Sequence, residues 1–126
     1  MDDRVRLSDS EWKIMEKLWE NQPATIAELT ALLRKETGWQ KSTVITLLKR
    51  MEKKGAVTYT QGERAKQFFA ALRRRDAVLD ETRSFLNRTY RGSVGSMLKE
   101  LIRSGAIGQK ELDELRRILQ EGEKGK

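Results

Sequence analysis

The sequence predicts a mainly α-helical protein with one small β-hairpin, on three observations. Six stretches of its 126 residues place apolar side chains at helical spacing. Between the third and fourth stretches, β-branched and aromatic residues flank a Gln61-Gly62-Glu63-Arg64 turn. The chain holds no Cys and no His. That removes disulfides, thiolate metal sites, the commonest metal ligand and the commonest general base.

The first helix is expected from Ser8 to about Asn21. Ser8-x-x-Glu11 has capping-box spacing, in which each side chain satisfies an orphan amide of the first turn. At 100° per residue Trp12, Ile14, Met15, Leu18 and Trp19 share one arc, opposite Lys13, Glu16, Lys17 and Glu20. Gln22-Pro23 stops it. The second helix opens on another capping box, Thr25-x-x-Glu28, and closes near Thr37-Gly38, with Ile26, Leu29, Leu32 and Leu33 as its buried stripe. The third runs from about Ser42 to Lys54 and ends on Gly55. Val44, Leu47, Leu48 and Met51 face inward, with Ile45 on the border.

Ala56–Thr60 then reads as a strand, and Lys66–Ala70 returns as a second, although Phe68-Phe69-Ala70-Ala71 also suits a helix start. Three amphipathic helices complete the chain, at about 76–90, 93–104 and 109–121. Gly92 and the Gly105/Gly108 pair mark the breaks, and Gly122 to Lys126 are expected to fray. Residues 1–75 therefore form one expected domain and 76–126 a second, helical one. Three helices followed by a hairpin is the winged helix-turn-helix order, whose second motif helix enters the DNA major groove.

Charge supports that reading. The net charge is +7. Residues 34–75 hold twelve Lys or Arg against three acids, whereas 1–33 come out at −3 and 76–126 at +1. A local basic excess points to a polyanion, although a solvated surface is the plainer alternative. On the third helix, Ser42, Thr46, Lys49 and Lys53 project in one narrow arc, flanked by Thr43 and Arg50. Glu52 is expected on the other side. Short hydroxyls in the first turns suit base edges, and longer cations beyond them suit phosphates. Lys41 precedes the arc, and Arg64 and Lys66 fall at the hairpin tip, as wing cations or as soluble tip residues. Arg73-Arg74-Arg75 suits either a phosphate contact or a solvated hinge.

The last three helices have little material for a private core. Their stripes are Leu79, Phe85, Leu86 and Tyr90, then Val94, Met97, Leu98, Leu101 and Ile102, then Leu112, Leu115, Ile118 and Leu119. A second copy of the chain is the economical cover. Folding back on the first domain is the alternative. No metal or cofactor is expected. No apolar run is long enough to span a membrane, and no apolar segment follows Met1-Asp2-Asp3-Arg4, so the expectation is a cytoplasmic protein. A winged-helix protein-interaction module that ignores DNA is the competing class. An enzyme is a poor third, because no catalytic set is visible.

Four stretches together resemble the penicillinase-repressor family, represented by BlaI, MecI and CopY. They are Leu7-Ser8-x-x-Glu11-Trp12-x-Ile14-Met15-x-x-Leu18-Trp19, Thr43-Val44-x-Thr46-Leu47-Leu48-x-Arg50-Met51-x-x-Lys54-Gly55, Ser84-Phe85-Leu86-Asn87-Arg88-x-Tyr90-x-Gly92-x-Val94-x-Ser96-Met97 and Glu111-Leu112-x-Glu114-Leu115-x-x-Ile118-Leu119. The resemblance implies a homodimeric repressor on a pseudo-palindromic double-stranded operator, with Thr43 and Thr46 approaching bases and Arg64 as a wing arginine. It also implies a β-lactam-resistance type of circuit, in which a membrane-bound sensor protease cuts the dimerisation region. The chain departs in three places. Ser42 stands where the family often has Lys, with Lys41 one residue earlier. Glu100-Leu101 occupies the candidate cleavage region in place of Asn-Phe. The cysteine cluster of copper-sensing members is absent.

Overall fold

The computed structural model describes residues 5–124. Its elements are α1 (Asp9–Asn21), α2 (Ile26–Thr37), α3 (Lys41–Lys54), β1 (Val57–Gln61), β2 (Lys66–Ala70), α4 (Arg74–Tyr90), α5 (Val94–Arg103) and α6 (Gln109–Lys124). Both capping boxes form. The Ser8 amide donates to Glu11 Oε1 at 2.8 Å and the Glu11 amide to Ser8 Oγ at 3.2 Å. Thr25 and Glu28 repeat the arrangement at 2.8 and 3.1 Å. Gly38 and Gly55 end α2 and α3 in the left-handed region, at φ 70° and 84°, where a Cβ is disfavoured.

The hairpin is antiparallel, in the register Val57 opposite Ala70 through Gln61 opposite Lys66, so Phe68 lies in a strand and not at a helix start. Gly62 makes the turn, because a Cβ there would stand 2.6 Å from the Ala65 carbonyl oxygen. Ala24 adds a one-residue bridge on the far side of β2. Its amide donates to the Phe68 carbonyl at 3.1 Å, and the Phe68 amide donates back at 2.8 Å.

Two compact units divide between Glu81 and Thr82, a break inside α4. The first holds the core: Ile14, Met15 and Leu18 of α1, Leu29 and Leu33 of α2, Val44, Leu47, Leu48 and Met51 of α3, and Ala24, Ala56, Val57 and Phe68 from the hairpin region. Leu32 does not join it. It is 42% exposed, while Thr30 is buried, and the Thr30 hydroxyl donates to the Ile26 carbonyl at 2.7 Å. Thr30 and Leu32 lie roughly 200° apart around the axis, so the buried face extends to the Thr30 side of Leu29 and Leu33, where the internal hydrogen bond satisfies the hydroxyl.

In the second unit no described residue is buried. Arg91 (φ 51°) and Gly92 (φ 85°) turn the chain out of α4, and the Ser93 hydroxyl accepts from the Ser96 amide at 3.0 Å to cap α5. Glu111 Oε1 accepts from the Gly108 amide at 3.1 Å ahead of α6. Gly122 to Lys124 continue α6 and do not fray there, whereas Gly125 and Lys126 lie outside the described residues.

Candidate nucleic-acid interface

α3 is amphipathic because its inward residues recur at positions 44, 47, 48 and 51, which leaves the opposite face to solvent. Lys41, Ser42, Thr43, Thr46, Lys49, Arg50 and Lys53 are all exposed on it. Ser42, Thr43, Thr46, Leu47 and Arg50 line one shallow depression. Lys49, Arg50 and Lys53 line another, and Glu52 lines it with them. Glu52 therefore borders the arc instead of standing clear of it, since its position lies only about a quarter turn from the arc's centre. No ion pair ties Lys49, Arg50 or Lys53 to an acid among the described residues.

One small side chain of this face is held. The Thr46 hydroxyl donates to the Ser42 carbonyl at 3.0 Å, which sets its rotamer and leaves oxygen lone pairs for an outside donor. α1 and α2 carry side-chain caps on their first-turn amides, whereas Gln40 gives α3 none.

At the hairpin, Arg64 is exposed in the turn. Lys66 opens β2 with its ammonium 4.1 Å from the Tyr59 ring centroid, a cation–π contact that orders an otherwise free side chain. No hydrogen bond or ion pair joins either cation to the α3 arc among the described residues. The Arg73–Arg75 run is no free hinge. Arg74 and Arg75 begin α4, and Arg74 Nε donates to Glu16 Oε1 at 2.8 Å. That hydrogen bond and the Glu16 charge raise the guanidinium's pKa above its ordinary value.

One ion pair, between a buried carboxylate and a partly exposed lysine, escaped the sequence reading. Glu11 is fully buried, and its Oε1 lies 2.6 Å from Lys54 Nζ. Glu11 was legible as a cap, but its partner is 43 residues away, and no local pattern links the two. Burial pushes the Glu11 carboxyl's pKa up. The Lys54 hydrogen bond, the Ser8 amide and the Lys54 charge together outweigh burial and hold it below its ordinary value.

The apolar stripes of the second unit remain partly open. Phe85, Val94, Ile102, Ile118 and Leu119 are 43–66% exposed, as is Leu79 in the first part of α4. Leu86, Tyr90, Met97, Leu98, Leu101, Leu112 and Leu115 are half-buried. Glu100 is exposed on α5, beside Leu101. Among the described residues no group of three or more acids is suited to a metal, and no helix is long and apolar enough to cross a membrane.

Three α-helices, a hairpin wing and an exposed basic helix face define a winged-helix DNA-binding protein. The penicillinase repressor family profile matches residues 7–121, and the chain belongs to that family, whose members are transcriptional repressors and not enzymes. It is 29% identical over 116 residues to the penicillinase repressor of Bacillus licheniformis, covering 92% of this chain and 91% of the relative. It is 25% identical over 120 residues to the methicillin resistance regulatory protein MecI of Staphylococcus aureus strain N315, covering 94% and 98%. Among solved structures, the monomeric form of Bacillus licheniformis BlaI in complex with the blaP half-operator matches with a TM-score of 0.52 and 26% identity. That match covers 58% of this chain and 90% of the BlaI chain.

Proposed function

We propose that this chain is a homodimeric repressor that reads a pseudo-palindromic operator with the exposed face of α3. The observation that carries the reading is the arc Ser42, Thr46, Lys49 and Lys53, exposed together with its short hydroxyls ahead of its cations. Thr43 and Thr46 approach base edges. Thr46 offers an acceptor oxygen and a methyl group, which suits a donor edge or a thymine methyl. Lys41, Lys49, Arg50 and Lys53 contact phosphates, Ser42 adds a hydroxyl, and Arg64 and Lys66 reach the backbone from the wing. The half-operator complex of the BlaI relative supports the choice of DNA as partner.

The division of labour follows the sequence domains, 1–75 for DNA and 76–126 for dimerisation. The open stripes of α4, α5 and α6 are the surface a second copy covers. The relatives' names point to a resistance operon of the β-lactam type as the regulated target. A membrane-bound sensor protease acting on the dimerisation region is the candidate release step. Glu100–Leu101 is its candidate region, with Glu100 exposed on α5, but it lacks the Asn-Phe pair, so no cut is assigned to that bond itself. The setting is cytoplasmic, where operator and repressor meet.

Selection of duplexes from a random library by the full chain, at near-physiological salt, tests this proposal. It is expected to return two related half-sites about one helical turn apart. A single unpaired motif would overturn the dimeric reading, and no enriched sequence would overturn sequence-specific binding.

A further inference from the structure

We infer that Lys54 is a positioning residue of the reading helix and not one of its phosphate contacts. The inference rests on the DNA-binding reading above and deepens it. By composition Lys54 is indistinguishable from Lys49 and Lys53, since all three lie in the basic second half of α3. The structure separates them. All three are exposed as residues, but Lys49 and Lys53 have no ion pair among the described residues, whereas the Lys54 ammonium donates to Glu11 Oε1 at 2.6 Å and to the Arg6 carbonyl at 2.8 Å. The same Glu11 oxygen accepts from the Ser8 amide at 2.8 Å. Glu11 Oε2 is buried with no hydrogen-bond partner among the described residues. Lending the ammonium to a phosphate would strand a buried carboxylate that has no second cation among the described residues, a strongly unfavourable exchange.

The position of the tether gives it leverage. Lys54 is the last residue of α3, and Gly55 turns the chain directly toward β1. The pair therefore fixes the end of the reader to the capped start of α1. Thr43 and Thr46 lie about 12–17 Å away along the axis, at 1.5 Å per residue. A small swing about a loosened end displaces them by more than hydrogen-bond tolerance. The Glu11–Lys54 pair is also neutral as a unit, so it releases no counterion when DNA binds.

The test compares the full chain with Lys53→Ala and Lys54→Met on two duplexes of equal length, one selected by the wild type and one of random sequence. Affinity is measured across a salt series, well below each variant's melting temperature. Lys53→Ala is expected to weaken both duplexes alike and to flatten the plot of log K against log salt by about 0.9. Lys54→Met is expected to keep the wild-type slope on random duplex and to lower the selected-to-random ratio by about tenfold. Flattening by about 0.9 in Lys54→Met would make Lys54 a phosphate contact and overturn the inference. An unchanged ratio in the folded variant would make the pair purely structural and overturn it too. Should Lys54→Met not fold, Glu11→Gln removes the charge but keeps an acceptor for Ser8. The inference expects a lower ratio in this variant too, whereas an unchanged ratio in the folded Glu11→Gln chain would overturn it. Failure of the wild type to bind either duplex would overturn the DNA reading itself, a result distinct from the others.

Discussion

The indole Nε1 of Trp19 donates to the Leu72 carbonyl oxygen across 2.8 Å, tying the last turn of the first unit's opening helix to the segment just beyond the wing. Beside it, Trp12 packs edge-on against Trp19 with ring centroids 5.7 Å apart, and Arg74 pairs with Glu16 one turn earlier on α1. The start of α4 is thus held to α1 by an indole, a guanidinium and their shared neighbourhood. Trp19→Phe keeps an aromatic ring, though a smaller one, and leaves the Leu72 carbonyl unmet. The expected cost is about 1 kcal/mol, read as a fall in melting temperature of roughly 4–8 °C for a domain of this size. An unchanged melting temperature would mean that water replaces the indole without loss.

The two leucines of α2 provide an internal contrast. Leu29 is fully buried and Leu32 is 42% exposed. Leu29→Ala is expected to destabilise by about 2–5 kcal/mol, and Leu32→Ala by less than about 1 kcal/mol. Equal losses in denaturant unfolding would put Leu32 in the core after all.

Acid stability follows from Glu11. Its folded pKa is lowered, so its contribution is fully present above the ordinary glutamate range and is lost as pH falls through the depressed value. Denaturant midpoints from pH 7 down to 3 are expected to fall less steeply in Glu11→Gln than in the wild type. Parallel curves would show that Glu11 titrates normally.

Thr46 and Lys49 are expected to fail differently. Thr46→Ala removes a candidate base contact and lowers the preference for a selected duplex over a random one. Lys49→Ala weakens all duplexes similarly and flattens the salt slope by about one phosphate equivalent. Equal effects of both changes on specific and random duplex would contradict the assignment of α3 as reader.

The second unit makes a prediction about assembly. Ile118 and Leu119 are 53% and 66% exposed, so Leu119→Glu costs little inside one protomer but places a charge where a second copy is proposed to pack. Sedimentation equilibrium is expected to show a dimer for the wild type and a monomer for the variant, with weaker DNA binding by the latter. A wild-type monomer at tens of micromolar would contradict the proposal.

The elements were legible in the sequence because their punctuation is local. Ser8 with Glu11, Thr25 with Glu28, and Gly38 and Gly55 bound the first three helices as expected, and the Gly62 turn set the hairpin. What escaped depends on distant parts of the chain. Glu11 meets Lys54, Arg74 meets Glu16, and Ala24 bridges to Phe68, each pairing separated by more than forty residues. Thr30 is buried and Leu32 exposed because an internal hydrogen bond makes a threonine acceptable inside, which hydrophobic spacing does not register. At the candidate site the face of α3 was legible from its angular pattern. The roles of Lys54 and Glu52 were not, since charge counting treats every residue of a run alike.

Footprinting of the purified full chain on its own genomic DNA, at near-physiological salt, tests the central claim most directly. The account predicts a few two-fold symmetric sites overlapping promoters, with half-sites about one helical turn apart. Diffuse occupancy that fades with salt and favours no sequence would contradict it.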